Sequence, residues 1–449
     1  MFQNESNKLN HIMQNNLIDK QLVDTTMAQC GVSNLDDASI RDTVKIANLL
    51  EKATGEKFIR MEMGVPGLAP SRIGTEAEIE ALKHGVAQFY PMLEGYPVLS
   101  EEASRFVKNF MDVDIRPEGI IPTVGAMQAS YVAFMALTEC HKGKDTILFI
   151  DPGFPVQKTQ LEVIGKPYQT FDIYEYREEK LEAKLREYLD RGNIAGIVYS
   201  NPNNPSWVCL TDFELQVIGK LATEYDTIIL EDLAYFAMDF RKDLSHPGKA
   251  PFQPTVAKYT DNYIFMISSS KLFSYAGQRL GLLCISDALF HKKYEHLKER
   301  YKADKLGYTI TYKLIYTQTS GTAHSPQYAV AAVLKAANEG RINILTDVRE
   351  YGKRAEIMKT LYKNAGFKVV YDKDGHEDVA DGFYFTIYYP GMTGAELAKE
   401  LLYYGISSIT LKGCGSTREG LRACVSQVGL DQLKDRIERF AKDHTPIES

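Results

Sequence analysis

The sequence predicts an α/β protein: a large domain with a mostly parallel seven-stranded sheet covered by helices, plus a smaller α+β domain formed by the N- and C-terminal parts of the chain. Two observations carry this expectation. From about Glu78 to Ser320, short apolar runs alternate with amphipathic helical patterns, as they do where a sheet is covered on both faces. The length of 449 residues exceeds the usual size of one domain, so two packed units are expected.

Residues 1 to about 45 read as polar and partly helical. A helical stretch follows at 43–52, then a short strand at 57–63 running into the turn-rich Gly64-Val65-Pro66-Gly67. The seven strands of the large sheet are expected at 119–123, 146–150, 166–171, 194–200, 227–230, 263–268 and 281–285. Beyond them come a helical region near 329–363, strands at 368–371, 382–388 and 407–411, and a closing helix at 430–443. The boundaries are drawn accordingly: 1–77 as an arm and part of the small domain, 78–325 as the large domain, and 326–449 as the C-terminal small domain.

Composition narrows the function. Hydrophobic residues at 44% and charged residues at 25% are ordinary for a globular protein. The net charge of -7 offers no electrostatic reason to bind nucleic acid or an anionic membrane, which turns attention to small-molecule chemistry. The six cysteines are scattered singly with no CxxC pair, as suits a reducing cytoplasm, and no metal site is called for. The N-terminus lacks the pattern of a signal peptide, and no run of about 18 apolar residues suggests a membrane span.

Several segments at strand ends carry chemistry-bearing residues, and in open α/β sheets ligands sit at the carboxyl ends of strands. Ser268-Ser269-Ser270-Lys271 follows the strand YIFMIS, and eight residues on stands Arg279, flanked by glycines that let backbone approach a ligand. A lone lysine would read as solvated surface; its pairing with Arg279 changes that. Asn201-Pro202-Asn203-Asn204-Pro205 also ends a strand, with a plain turn as the alternative reading. Glu231-Asp232-Leu233-Ala234-Tyr235 puts two acids at the end of a buried strand, where a carboxylate needs a partner; helix capping by Asp232 is the alternative. Gly125-Ala126-Met127 opens a helix after a strand, where free N–H groups and the helix dipole attract phosphate. Asp151-Pro152-Gly153-Phe154 follows another strand. Arg422 lies within an apolar strand, where an unpaired guanidinium is costly; it calls for an anion, either a ligand carboxylate or an acid such as Glu419.

Together these segments resemble the fold-type I, class I/II aminotransferases of the aspartate aminotransferase superfamily, which depend on pyridoxal 5'-phosphate. The resemblance covers roughly Lys57 to Ala441 and rests on SSSKLFSYAGQRLG, the Asn-Pro element ending at Asn204-Pro205, the Asp-x-Ala-Tyr run at Asp232–Tyr235, and the Asp-Pro-x-aromatic run at Asp151–Phe154. Asn204, Asp232, Lys271 and Arg279 follow in the family's order at steps of 28, 39 and 8 residues. The resemblance implies that Lys271 bonds the cofactor aldehyde and later moves the substrate's Cα proton. It implies that Asp232 pairs with the pyridine nitrogen, Asn204 and Tyr235 with the phenolic oxygen, and that Phe154 stacks on the ring. Ser268, Arg279 and the backbone of Gly125, Ala126 and Met127 would hold the phosphate, with Tyr90 reaching it from the neighbouring subunit of a homodimer. Arg422 would bind the substrate α-carboxylate, with Asn204 and Gly64 beside it.

The implied activity is transfer of an amino group between an L-amino acid and a 2-oxo acid. A carbon–sulfur β-lyase on the same fold is the alternative; a PLP-binding transcription regulator fits poorly, because some fifty non-basic N-terminal residues are too few for its DNA-binding part. Two stretches depart from the family's pattern. Ser206-Trp207 replaces the common Thr-Gly, and Lys412-Gly413-Cys414-Gly415-Ser416 replaces the Pro-Gly or Phe-Gly that precedes the substrate arginine in many relatives.

Overall fold

A computed structural model of the chain describes residues 15–444, so the first fourteen residues of the polar N-terminal stretch lie outside the described residues. The expected seven strands form one sheet: β1 (Ile120–Val124), β2 (Thr146–Asp151), β3 (Tyr168–Asp172), β4 (Ile194–Ser200), β5 (Ile228–Leu233), β6 (Tyr263–Ser268) and β7 (Leu280–Ile285). Their order is β1-β7-β6-β5-β4-β2-β3. Neighbours from β6 through β3 pair in parallel, and β7 runs antiparallel to both β6 and β1. Six strands therefore point the same way. β2, β5, β6 and β7 are buried along their whole length, which explains why they read as continuous apolar runs rather than alternating ones.

A second, four-stranded antiparallel sheet contains β8 (Lys368–Val369), β9 (Tyr384–Tyr388), β10 (Ile409–Thr410) and β11 (Leu421–Cys424), in the order β10-β11-β9-β8. Helix Arg349–Asn364 packs on β8 and β9 and also against the C-terminal helix Leu430–Asp443. The N-terminal part joins this region directly, since Ile59 and Arg60 run parallel to Ile406 and Ser407. The small α+β part is thus made from both ends of the chain.

Four details differ from the sequence reading. The strand expected at 57–63 shrinks to Ile59–Arg60, because the chain leaves the ladder to deliver Gly64 to Lys271. The strand at 407–411 divides at Ser408, with Ile406–Ser407 pairing the N-terminal segment and Ile409–Thr410 pairing β11. The strand at 382–388 begins only at Tyr384, since Gly382 lies against Trp207 instead. The helical region at 329–363 is two helices, His324–Asn338 and Arg349–Asn364, separated by a turn in which Gly340 has φ +67°.

The two sheets meet around the single tryptophan. Trp207 is fully buried and holds φ +64°, a left-handed conformation that glycine adopts without strain. Its ring packs 5.3 Å from that of Tyr235, at the end of β5, and 6.2 Å from that of Tyr384 in β9, measured between centroids. A Cβ on Gly382 would collide with the indole. The replacement of Thr-Gly by Ser-Trp is therefore matched by a glycine on the facing segment. Gly382→Ala is expected to cost about 1–3 kcal/mol by overpacking. Thermal unfolding followed by the emission of this one tryptophan should show a lowered Tm; an unchanged Tm and emission maximum would contradict the packing.

Candidate active site

All the strand-end segments singled out in the sequence except that around Arg279 leave β1, β2, β4, β5 and β6 at their carboxyl ends, on one edge of the large sheet. Ser268 ends β6 and caps the short helix Ser269–Leu272, its Oγ accepting from the Ser270 N–H at 3.2 Å. That turn carries Lys271 to the Gly64 carbonyl, to which Nζ donates. Nζ also lies 5.6 Å from the centroid of the Phe383 ring. Burial, with further contributions from the positive charges of Arg422 and Arg279, lowers the Lys271 ammonium to about 8.

Strand alternation sorts the two acids ending β5. Glu231 is held by Thr255 and Tyr199 inside the core, whereas Asp232, on the other face, accepts from Gln157 Nε2 at 3.0 Å and from the Ala234 N–H at 3.1 Å. No helix begins at Asp232, so it is not a helix cap. Its carboxylate has no ion pair among the described residues, and burial pushes it up to about 6. Gln157, three residues after Phe154, was not singled out in the sequence; its position in the first turn of helix Val156–Val163, just after that strand-end segment, is the signal that could have found it.

Around Lys271 the structure joins Gly64, Asn204, Tyr235 and Arg422 into one network. Arg422 is buried, with Nη1 donating to Asn204 Oδ1 at 3.2 Å and Nη2 to the Glu62 carbonyl, while Nε has no partner among the described residues. Glu419, the acid considered as its partner, is instead bound to Lys412 and the Gly394 N–H. The guanidinium lies 4.5 Å from the centroid of the Tyr384 ring, and the Tyr235 hydroxyl donates to the Tyr384 hydroxyl at 2.8 Å. A Cβ on Gly64 would collide with that same hydroxyl, so the close approach requires glycine.

On the other side of Lys271, helix Gly125–Leu137 begins with Gly125 at φ +68° and has no side-chain cap. A Cβ there would strike the Arg279 guanidinium, and one on Gly281 would strike the backbone between Gly125 and Ala126. Gly125, Ala126, Met127 and Arg279 thus converge around uncapped N–H groups. Phe154 is half-buried beyond β2 without a ring partner among the described residues, and Tyr90 is 89% exposed, so it does not cover its own domain. Neither enters the network within one chain.

The segment 412–417 that departs from the family's pattern is fastened to the ends of β2 and β3. Gly153 N–H donates to the Cys414 carbonyl at 2.8 Å, and Asp151 pairs with Lys158 at 2.6 Å where a Cβ on Gly415 would intrude. Asp172, in register with Asp151, accepts from the Tyr371 hydroxyl at 2.6 Å and the Thr417 N–H at 3.1 Å. These contacts precede Arg422 by a few residues and were not legible in the sequence.

The family model for aminotransferase class I and II matches residues 57–440. A probable aspartate aminotransferase of Methanocaldococcus jannaschii is 23% identical over 74% of this chain and 87% of its own length. The aspartate aminotransferase of Pyrococcus horikoshii is 30% identical, and that match spans 53% of this chain and 59% of the relative. Among solved structures, alanine aminotransferase from Pyrococcus furiosus superimposes with a TM-score of 0.72 at 22% identity, covering 90% of this chain and 97% of that one. Aspartate aminotransferase from Thermus thermophilus with maleate gives 0.70 at 17% identity over 90% and 96%. With the family model spanning both sheets and every strand end described above, the chain belongs to the class I and II aminotransferases and is a pyridoxal-phosphate-dependent transaminase.

Proposed function

We propose that the strand-end network is the transamination site and that its residues divide the work as follows. The observation that carries this reading is a buried Arg422 with no carboxylate partner among the described residues, in the same network as a lysine whose ammonium is lowered to about 8. The residues suit the cofactor. Asp232 is a buried carboxylate that, among the described residues, is supported only by neutral donors, which a protonated ring nitrogen would complete; Gly125 and Arg279 frame uncapped helix N–H groups of the kind that bind phosphate.

When bound, the cofactor supplies a reactive aldehyde and a ring that takes up the negative charge developing at the substrate's α-carbon. Lys271 would hold the aldehyde, and its Nζ would be the group that moves the substrate's Cα proton. With an ammonium near 8, about a tenth of it is uncharged at pH 7 without any partner, which suits a nucleophile and base. Asp232 keeps a proton on the ring nitrogen, and Gln157 orients Asp232. Asn204 and Tyr235 direct hydrogen bonds at the phenolic oxygen, and Phe154 covers the ring. Ser268, Arg279 and the N–H groups of Gly125, Ala126 and Met127 hold the phosphate. Arg422 takes the substrate α-carboxylate, with Asn204 and the Gly64 backbone beside it.

We place the domain boundaries at 1–77, 78–325 and 326–449, and the enzyme in the cytoplasm, a setting that its six unpaired cysteines suit. We further infer a homodimer in which Tyr90 of each subunit reaches the other's phosphate site. The exposure of Tyr90 together with that of Phe89 and Met92, at 61% and 62%, supports this.

Three outcomes test the assignment. Lys271→Ala should lose the visible absorbance of lysine-bound cofactor and reduce turnover by about 10³-fold or more, measured with an L-amino acid and 2-oxoglutarate; a fully active variant would overturn the role of Lys271. Inactive Lys271→Ala chains refolded together with impaired Tyr90→Ala chains should regain activity, up to about a quarter of the wild-type level, through hybrid dimers that contain one intact site. No recovery would argue against sharing of Tyr90.

Asp232 gives a test through stability. Its folded pKa of about 6 lies above the unfolded value near 3.8, so the folded protein binds the proton more tightly and stability falls as pH rises through that interval. In the cofactor-free protein, Asp232→Asn should remove this penalty, raising stability at pH 7 by on the order of 2 kcal/mol and leaving it little changed near pH 3. Thermal unfolding at the two pH values would show it, alongside weakened cofactor binding.

A further inference from the structure

Tyr384 stands at the centre of the network, and its role goes beyond the residues assigned so far. In the β9–β11 pairing Thr386 faces Arg422 and Tyr384 faces Cys424, so all four side chains share one face of the small sheet. Tyr384 and Arg422 are diagonal neighbours there, and the guanidinium lies over the Tyr384 ring. The Tyr384 hydroxyl meets Tyr235 at 2.8 Å and abuts Gly64, whose carbonyl receives Lys271. Both tyrosines are buried and held above the usual tyrosine value by that burial, Tyr384 to about 12, so both are neutral hydroxyls near pH 7. Tyr235 is the donor of this pair as it stands; hydroxyl protons rotate about their C–O bonds, so once Tyr235 gives its proton to another acceptor the pair reverses and Tyr384 becomes the donor.

We propose that Tyr384 is a positioning residue of the transamination site, its ring holding the Arg422 plane and its hydroxyl donating to Tyr235, so that the Tyr235 proton is aimed at the cofactor's phenolic oxygen. The inference rests on the cofactor assignment above. It links the residue proposed for the substrate carboxylate to the residue proposed for the phenolic oxygen through a single side chain. A donor behind Tyr235 strengthens the bond Tyr235 makes, because hydrogen bonds in a chain polarise one another. Losing it leaves the phenolic charge less stabilised, and the proton at Lys271 Nζ is then held to higher pH.

The test is a pH titration of the visible absorbance band in enzyme reconstituted with pyridoxal phosphate. Tyr384→Phe should raise the midpoint by about half a pH unit. In a Tyr235→Phe background the same substitution should add nothing, because the relay is already cut. An unmoved midpoint in Tyr384→Phe, or shifts that simply add in the double variant, overturns the relay. Tyr384→Phe keeps the ring, so KM for the amino donor should stay within about twofold, whereas Tyr384→Leu should raise it about tenfold; an unchanged KM in Tyr384→Leu overturns the ring's role. If Tyr384→Phe fails to fold, Gly64→Ala displaces the same hydroxyl and should raise the midpoint in the same direction, with no rise counting against the relay. A wild-type protein that shows no visible band with the cofactor would instead overturn the cofactor assignment, and the relay with it.

Discussion

A guanidinium taken out of water with no counter-charge among the described residues is the constraint around which the rest of the site is arranged. Arg422 sits in a buried strand with two of its nitrogens bonded to an amide oxygen and a backbone carbonyl, and with its plane resting on an aromatic ring. Those neutral contacts offset only part of the desolvation cost, which a bound carboxylate would offset far more completely. Each contact has its own requirement. Asn204 has to be brought from the large sheet, Glu62 from the N-terminal segment, and Tyr384 from the neighbouring strand, which explains why the arginine lies where three distant parts of the chain meet.

The same logic extends to the other ionisable groups of the site. Lys271 gives up its proton more readily than an exposed lysine, Asp232 resists ionisation, and both conditions come chiefly from burial before any ligand contributes. The fold thus tolerates groups in energetically poor states in order to have them ready, a common reason for active sites to be less stable than the scaffold around them. The buried acid Glu231, one residue from Asp232, is also pushed up by burial, to about 7, but it is held by hydroxyl groups within the core. Period-two alternation alone separates a core acid from one on the face proposed for the cofactor.

Much of this was legible in the sequence. The seven strands of the large sheet appear as expected because continuous apolar runs flanked by turn residues are a local signal. Lys271, Asp232, Asn204 and Arg422 were readable because each follows, or lies in, such a run. The unread contacts are long-range. Tyr384 looks like one aromatic residue among 27 tyrosines until the pairing of β9 with β11 sets it beside Arg422. Trp207 appeared as a departure from a motif, and only the facing Gly382 explains how the loop accommodates it. The hold of Asp151 and Asp172 on the segment before Arg422 depends on the register between β2 and β3. Strand ends and periodicity are written locally, whereas register and cross-sheet contact are not.

The pairing of Ile59 and Arg60 with Ile406 and Ser407 has a consequence for biosynthesis. The large sheet closes on segments between Ile120 and Ile285, so it can assemble while the ribosome is still making the remainder. The N-terminal segment must wait for a partner almost 350 residues later, and Arg422 emerges later still. A nascent chain therefore displays a finished scaffold and a lysine well before it possesses the group proposed to seize a substrate. The proposed site is completed only once synthesis has passed Arg422, and a chain truncated before it would hold the large sheet yet lack the group proposed to bind the substrate.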